Sequence, residues 1–279
     1  MIKQPLNTYG ILEYSSNLAN FSYYREQLER NGFCIVKDVF SSTEISEMAS
    51  QLDLAQAEQE KETFGTISPK DADNIRCPLA YSEVLLSASH PEKIISILQE
   101  ILGKHFVLLM QNGIINRPRR QQYQSNWHRD LNYQHWTSSK ELALNFLICV
   151  NDFSVSNGCT WALPGSHLHS SFPSEQFVTS HEIPLEASAG SVLLLNSMTF
   201  HRAGVNTSSN DIRRAINHVV GRPFMSQQID IPSFLREKNK DYSNSDFLNS
   251  YLGYKWNPAS NPHTWRTNRS LINNKGDQL

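Results

Sequence analysis

The hydrophobic period of this chain changes near residue 105, and that change limits the possible folds more than any single motif does. Before it, apolar residues recur at helical spacing. Ser41 and Glu44 make a Ser-x-x-Glu capping pair that opens a helix carrying Ile45, Met48, Leu52 and Ala55 on one stripe. Residues 22–31 read as a short helix stopped by Asn31-Gly32, and 91–103 as another, with Pro91 in its first turn and Gly103 at its end. The run FCIVKDVF between them is strand-like. After residue 105 the apolar runs are short, rich in β-branched and aromatic residues, and separated by turns. They are HFVLLMQNGIIN (105–116), ELALNFLICVND (141–152), CTWALPGSH, HEIPLEA, SVLLLN, FHRAGVN and IRRAINHVV. Asn157-Gly158 predicts a hairpin joining the second run to the third.

Helices followed by about eight strands predict a mainly β protein with flanking helices, a double-stranded β-helix (cupin-like jelly roll) with N-terminal helices packed on it. A chain of 279 residues that is 39% hydrophobic can bury one such core. The expected organisation is one domain: residues 20–104 as helical and strand support, 105–220 as the jelly-roll core, and 221–279 as a C-terminal cap and tail. Residues 61–80 are expected to form a mobile loop acting as a lid.

The net charge of -2 gives no electrostatic footprint for nucleic acid. No stretch is apolar enough to cross a bilayer, and MIKQPLNTYGILEYSS lacks the apolar core of a signal peptide, so a cytoplasmic protein without a membrane partner is expected. Cys34, Cys77, Cys149 and Cys159 lie far apart with no CxxC, which predicts buried, reduced thiols. A small molecule remains as the expected partner; oligomeric state has no signature in the sequence.

Chemistry enters at QSNWHRDLNYQHW. His128 and Asp130 stand two apart, where an extended backbone points both side chains to one face. One imidazole and one carboxylate leave most of a metal's coordination sphere open, and a second histidine would complete the facial triad of non-haem Fe(II) oxygenases. Alone, His-x-Asp is a weak signal. His201, opening a strand after the turn that follows the strand at residues 191–195, is the candidate third ligand. His135, His167, His169, His181 and His218 compete, and an isolated histidine is ordinarily a surface or core residue. His201 stands out because Arg213 follows it on the next strand, where a permanent charge with a planar fork matches a carboxylate. Arg214 competes with Arg213, since strand alternation lets only one of them face the interior.

With these residues in view, the sequence resembles the phytanoyl-CoA dioxygenase family of Fe(II)/2-oxoglutarate-dependent oxygenases. The resemblance is carried by WHRDLNYQ (127–134), NGCTWALPGSH (157–167) and FHRAGVNTSSNDIRRAI (200–216), with NGFCIVKDVFSSTEI (31–45) in support, all in the family's order. It implies that His128, Asp130 and His201 hold Fe(II) and form the catalytic centre, and that Arg213 binds the distal carboxylate of 2-oxoglutarate. It also implies that Gln111 and Asn116, on the strand before His-x-Asp, touch that co-substrate. With O2, such an enzyme oxidises a C–H bond, most simply to an alcohol, and releases succinate and CO2. Related halogenases have a small residue where this chain has Asp130, which favours hydroxylation or another oxidation here.

Tyr133, Trp136 and Trp161 are candidates for the substrate side, and Arg117, in a basic loop with Arg119 and Arg120, for gripping a phosphate, carboxylate or CoA group. The plainer readings are core aromatics and a solvated loop. Two other functions compete. A non-oxidative, metal-dependent cupin-like isomerase or lyase would have no need of Arg213, and an inactive jelly-roll binding protein would not be expected to keep the triad.

Overall fold

The period change at residue 105 is where helices give way to sheet in the computed structural model, which describes residues 21–267 apart from 64, 65, 70, 121, 122 and 132–136. The first part comprises α1 (Phe21–Asn31), β1 (Phe33–Val36), α2 (Ser42–Glu62), β2 (Asn74–Arg76), α3 (Glu83–Ser87) and α4 (Glu92–Leu102). The second comprises β3 (Val107–Asn116), β4 (Ala143–Cys149), β5 (Thr160–Ala162), α5 (Glu175–His181), β6 (Ile183–Leu185), β7 (Val192–Asn196), β8 (His201–Ala203) and β9 (Arg213–Gly221). Two helices follow, α6 (Ile231–Glu237) and α7 (Asp246–Tyr251). The capping box forms as the sequence predicts: Glu44 N donates to Ser41 Oγ at 3.3 Å, and Ser41 N donates to the Glu44 carboxylate at 2.7 Å.

Six strands make one antiparallel sheet in the order β1-β7-β4-β9-β3-β2, and three make a second, β6-β5-β8. Each strand of the large sheet is buried on both faces. Leu144, Phe146 and Ile148 of β4, with Val192 and Leu194 of β7, pack outward with Met48 and Leu52 of α2 and Leu98 of α4 in one core. Leu147, Leu193 and Leu195 point the other way, into a core shared with Ala162 and Leu185 of the small sheet. Burial of each such side chain contributes roughly 1.5–3 kcal/mol, so the two cores clamp the large sheet between helices and small sheet. This is the jelly roll with helices on its outer face. Among the described residues no helix is long and apolar enough to cross a membrane.

Three local expectations are corrected. Asn157-Gly158 does not close a hairpin between paired strands: β4 pairs with β7 and β9, whereas β5 pairs with β6 and β8, so the turn carries the chain from one sheet to the other. Asn157 bonds its own loop, accepting from Ser154 N at 2.9 Å and donating to the Asp152 carbonyl at 2.8 Å. Gly158, at φ +80°, lies so close to the Gly204 carbonyl and the Asn116 amide that a Cβ would fall 2.5 Å from each. Residues 61–80 are not one loop, because β2 lies within them as an edge strand on β3. Finally, β3 carries a bulge: its register passes from Leu108↔Val220 to Met110↔Val219, which leaves Leu109 as an extra residue and reverses the faces of everything after it.

Candidate metal centre

His128 is laid against the first residue of β8 by a two-way backbone pair, its N–H donating to the His201 carbonyl at 3.0 Å and its carbonyl accepting from the His201 N–H at 3.1 Å. The two rings are thereby held 4.4 Å apart. Asp130 N donates to the Ser197 carbonyl at 3.2 Å, tying the third residue to the turn after β7. The Asp130 Oδ1 atom lies 3.7 Å from His128 Nε2 and 4.0 Å from His201 Nε2. One ligand atom from each residue falls within 4.8 Å of the others. Donors on adjacent positions of a first-row metal, at bonds of about 2.1 Å, sit about 3 Å apart, so the three converge on a volume of the right size for one ion.

The ligand atoms are also oriented. His128 Nδ1 donates to the Asn126 carbonyl at 2.7 Å and His201 Nδ1 to the Thr199 carbonyl at 2.9 Å. Carbonyls only accept, so each Nδ1 carries the proton and each Nε2 turns a lone pair inward. Asp130 Oδ2 accepts from Asn217 Nδ2 at 3.1 Å and from Asn145 Nδ2, leaving Oδ1 for an ion. The Ser197 hydroxyl donates to Asn145 Oδ1 and so fixes which end of that amide faces the carboxylate. Burial, reinforced by the neighbouring His128 and opposed by Asp130, pushes His201 down to about 4, which keeps it neutral as a metal ligand requires.

Arg213, the first residue of β9, opens into the same cavity of about 280 Å³. Its side chain is only 1% exposed and lies over the Phe153 ring, 4.7 Å from its centroid. Its Nε is buried with no hydrogen-bond partner among the described residues. Burial pushes the guanidinium down to about 10, so it stays charged. A buried cation with an idle donor is costly until an anion meets it, which fits a carboxylate-bearing co-substrate. Arg214 points to the other face, where its Nε and Nη2 reach the Asp53 carboxylate at 2.9 and 2.8 Å.

Other sequence candidates fall elsewhere. Alternation counted from the outward-facing Leu108 would turn Gln111 inward, but the bulge turns it outward. There it accepts from Leu79 N at 2.6 Å and donates to the Leu85 carbonyl at 2.8 Å, with His218 Nε2 also at 2.8 Å. Asn112 takes its place in the cavity wall. Asn116 braces loops, donating to the carbonyls of Gly158 and Gly204 at 3.3 and 3.1 Å. Arg117 donates to Asp73 at 2.9 Å and to Gln56 at 3.1 Å, outside the cavity. Trp161 serves as a platform for Arg202, whose guanidinium carbon is 5.1 Å from its ring, and does not line the cavity. Tyr133 and Trp136 lie outside the described residues. Asn145, Ser197 and Asn217 went unmarked in the sequence, although an asparagine inside ALNFLIC is a polar residue in an otherwise apolar buried strand.

Residues 28–215 match the family described as phytanoyl-CoA dioxygenase (PhyH). An uncharacterised protein of Mycobacterium tuberculosis is 25% identical over 225 residues, 77% of this chain and 80% of that protein. Dioxygenase swnH1 of Arthroderma benhamiae is 25% identical over 278 residues, 88% of this chain and 84% of that protein. Among solved structures, the epimerase SnoN from nogalamycin biosynthesis, in complex with Fe3+, alpha ketoglutarate and nogalamycin RO, shares the fold. Its TM-score is 0.58 at 16% identity, over 77% of this chain and 88% of that one.

Proposed function

The chain belongs to the phytanoyl-CoA dioxygenase family, and from that premise we propose that it is a non-haem Fe(II)- and 2-oxoglutarate-dependent oxygenase that hydroxylates a C–H bond of a small molecule. The observation that carries this reading is the convergence of His128, Asp130 and His201 in one cavity with a buried arginine whose Nε has no hydrogen-bond partner among the described residues.

When bound, iron with 2-oxoglutarate and dioxygen supplies the oxidising power, with succinate and CO2 as by-products. The chain's own work is positioning. His128 and His201 would hold the iron through their Nε2 atoms and Asp130 through Oδ1. Asn145 and Asn217 hold the carboxylate from rotating, and Ser197 holds Asn145. Arg213 receives the far carboxylate of the co-substrate through a charge-assisted pair and so sets the angle at which its keto-acid end meets the ligands. Arg213 and Asn217 share a face of β9 four residues apart, about 13 Å along the strand, which a short diacid and an arginine side chain span together. Leu147 and Leu195 in the cavity wall help to exclude water from the reacting atoms.

The test is succinate formation from 2-oxoglutarate that requires both Fe(II) and dioxygen, followed by mass spectrometry of product made under isotopically labelled dioxygen. Label in the product supports hydroxylation. A second reading has its own support, since the fold is shared with an epimerase: hydrogen abstraction without oxygen transfer would give succinate and an unlabelled product, either oxidised by loss of a second hydrogen or, where an added reductant returns the hydrogen, inverted at the carbon. Absence of succinate under all conditions contradicts both.

A further inference from the structure

Away from the metal centre, a groove of about 700 Å³ opens on the helical face of the molecule. Its walls come from the turn between β1 and α2, the first half of α2, α3 and the start of α4, and it shares no lining residue with the metal-centre cavity. Val39, Phe40 and Val84 give it an apolar floor that is only half-buried, with Met48 of α2 closed beneath it as part of the outer core. Positioning the iron and its co-substrate makes no use of this groove.

The rim is charged, and almost all in one sense. Asp38, Glu44, Glu47, Glu83 and Glu92 stand against a single ammonium, that of Lys93. The whole chain carries 27 acidic and 25 basic residues, so this rim is a local departure and not a reflection of composition. Lys93 is also engaged, donating to the Lys37 carbonyl at 2.7 Å. Three of the carboxylates have a structural account. Glu44, Glu83 and Glu92 stand in the first turns of α2, α3 and α4, where the positive end of the helix dipole favours an acid. Glu44 is further held by Ser41 N, and Glu83 pairs with Lys240 at 3.0 Å. Asp38 and Glu47 have no such account: both are exposed, neither lies in a first turn, and neither has an ion-pair partner among the described residues. Like charges around an apolar floor repel one another, and a cationic partner relieves that repulsion.

These features fix the chemistry of the occupant. An apolar floor left open to water favours an apolar face, while an anionic rim turns away nucleic acid, an anionic bilayer or an acidic protein. We propose that the groove docks a partner protein through a basic amphipathic helix, with its apolar stripe on Val39, Phe40 and Val84 and its lysines or arginines against Asp38 and Glu47. A cleft of this size accepts roughly three large apolar side chains, the anchors that one helix face presents at successive turns.

The experiment measures the fluorescence anisotropy of labelled synthetic peptides titrated with the full chain. The first peptide sets leucine and lysine in helical period, the second scrambles the same residues so that the apolar stripe is lost, and the third has glutamate for every lysine. The first is expected to bind about tenfold or more tighter than either of the others, and to weaken as salt is added. Glu47→Lys on the rim and Val84→Asp on the floor should each weaken it about tenfold. Asp38→Asn should weaken it severalfold, since asparagine tolerates the left-handed backbone at that position, φ +54°, and removes only the charge. Glu175→Lys, in the first turn of α5 and outside the groove, should leave binding unchanged. A scrambled or acidic peptide bound as tightly as the first, failure of the first to bind, or equal losses from Glu47→Lys and Glu175→Lys overturns the assignment.

Discussion

The two faces of β9 bury polar side chains with opposite outcomes. On the outer face, under the helices, His218 is fully buried, stacked on Phe146 at 4.0 Å, with Nε2 at 2.8 Å from Gln111 and Nδ1 donating to the Phe146 carbonyl at 3.2 Å. Each of its ring nitrogens has a partner. On the inner face Arg213 is as deeply buried, yet its Nε has none among the described residues. Burial of a polar group does not mark a site, since folded proteins satisfy nearly all such groups. Idleness alone is not the mark either, since Asn74 Nδ2 is also buried without a partner among the described residues; what sets Arg213 apart is an idle buried donor on a cation that lines the cavity of the metal centre.

The largest test of this contrast is Arg213→Met. Loss of a bidentate carboxylate partner should weaken 2-oxoglutarate about 100-fold, measured as KM in the succinate assay. Because the Arg213 Nε has no hydrogen-bond partner to strand among the described residues, the metal-free protein should keep or raise its Tm in differential scanning calorimetry. A fall of several degrees would show that Arg213 is structural. The opposite pattern is expected for Gln111→Ala, which strands His218 and the Leu79 N–H: about 2–3 kcal/mol less stable in urea denaturation, with KM for 2-oxoglutarate unchanged. A changed KM would return Gln111 to the site.

Acid should expose the same outer face. Burial pushes His218 down to about 3 from 6.5. Above pH 6.5 both folded and unfolded forms are neutral and the group adds nothing. As pH falls from 6.5 towards 3 the unfolded state takes up the proton and the native state does not, so stability is lost, by about 2 kcal/mol at pH 5. His218→Gln should flatten the pH dependence of urea stability in that window; an unaltered slope would contradict the burial account. The smallest effect is reserved for Arg214→Ala, one residue from Arg213 but paired at the surface with Asp53. It should cost under about 1 kcal/mol and leave co-substrate binding as it was.

How much of this could be seen in the sequence follows the same division. His-x-Asp needs only local alternation, so His128 and Asp130 were visible as a pair, and the period change at residue 105 gave away the order of helices and sheet. His201 was picked out by its place at a strand opening and by Arg213 on the next strand, and the resemblance to a family then strengthened the choice, because the return of β8 beside His128 is a long-range backbone pairing. Gln111 was placed at the co-substrate by resemblance alone; a single extra residue, Leu109, reverses the faces of β3 and turns it outward, and a bulge has no signature in the run FVLLMQNGIIN. Asn145 and Asn217 could be seen only as polar residues within apolar strands, and their place beside Asp130 could not, for a related reason. Their meaning lies in cross-strand register, and register is set by the whole sheet.

The central claim is that His128, Asp130 and His201 hold Fe(II) beside a co-substrate anchored by Arg213. Anaerobic titration of the apo-protein with Fe(II), then with 2-oxoglutarate, tests it directly through the weak visible charge-transfer band of the chelated keto acid. The band is expected in the natural protein, absent in His201→Ala, and shifted to far higher 2-oxoglutarate concentrations in Arg213→Met. An iron-loaded protein that shows no band, or a band that persists unchanged in His201→Ala, would contradict it.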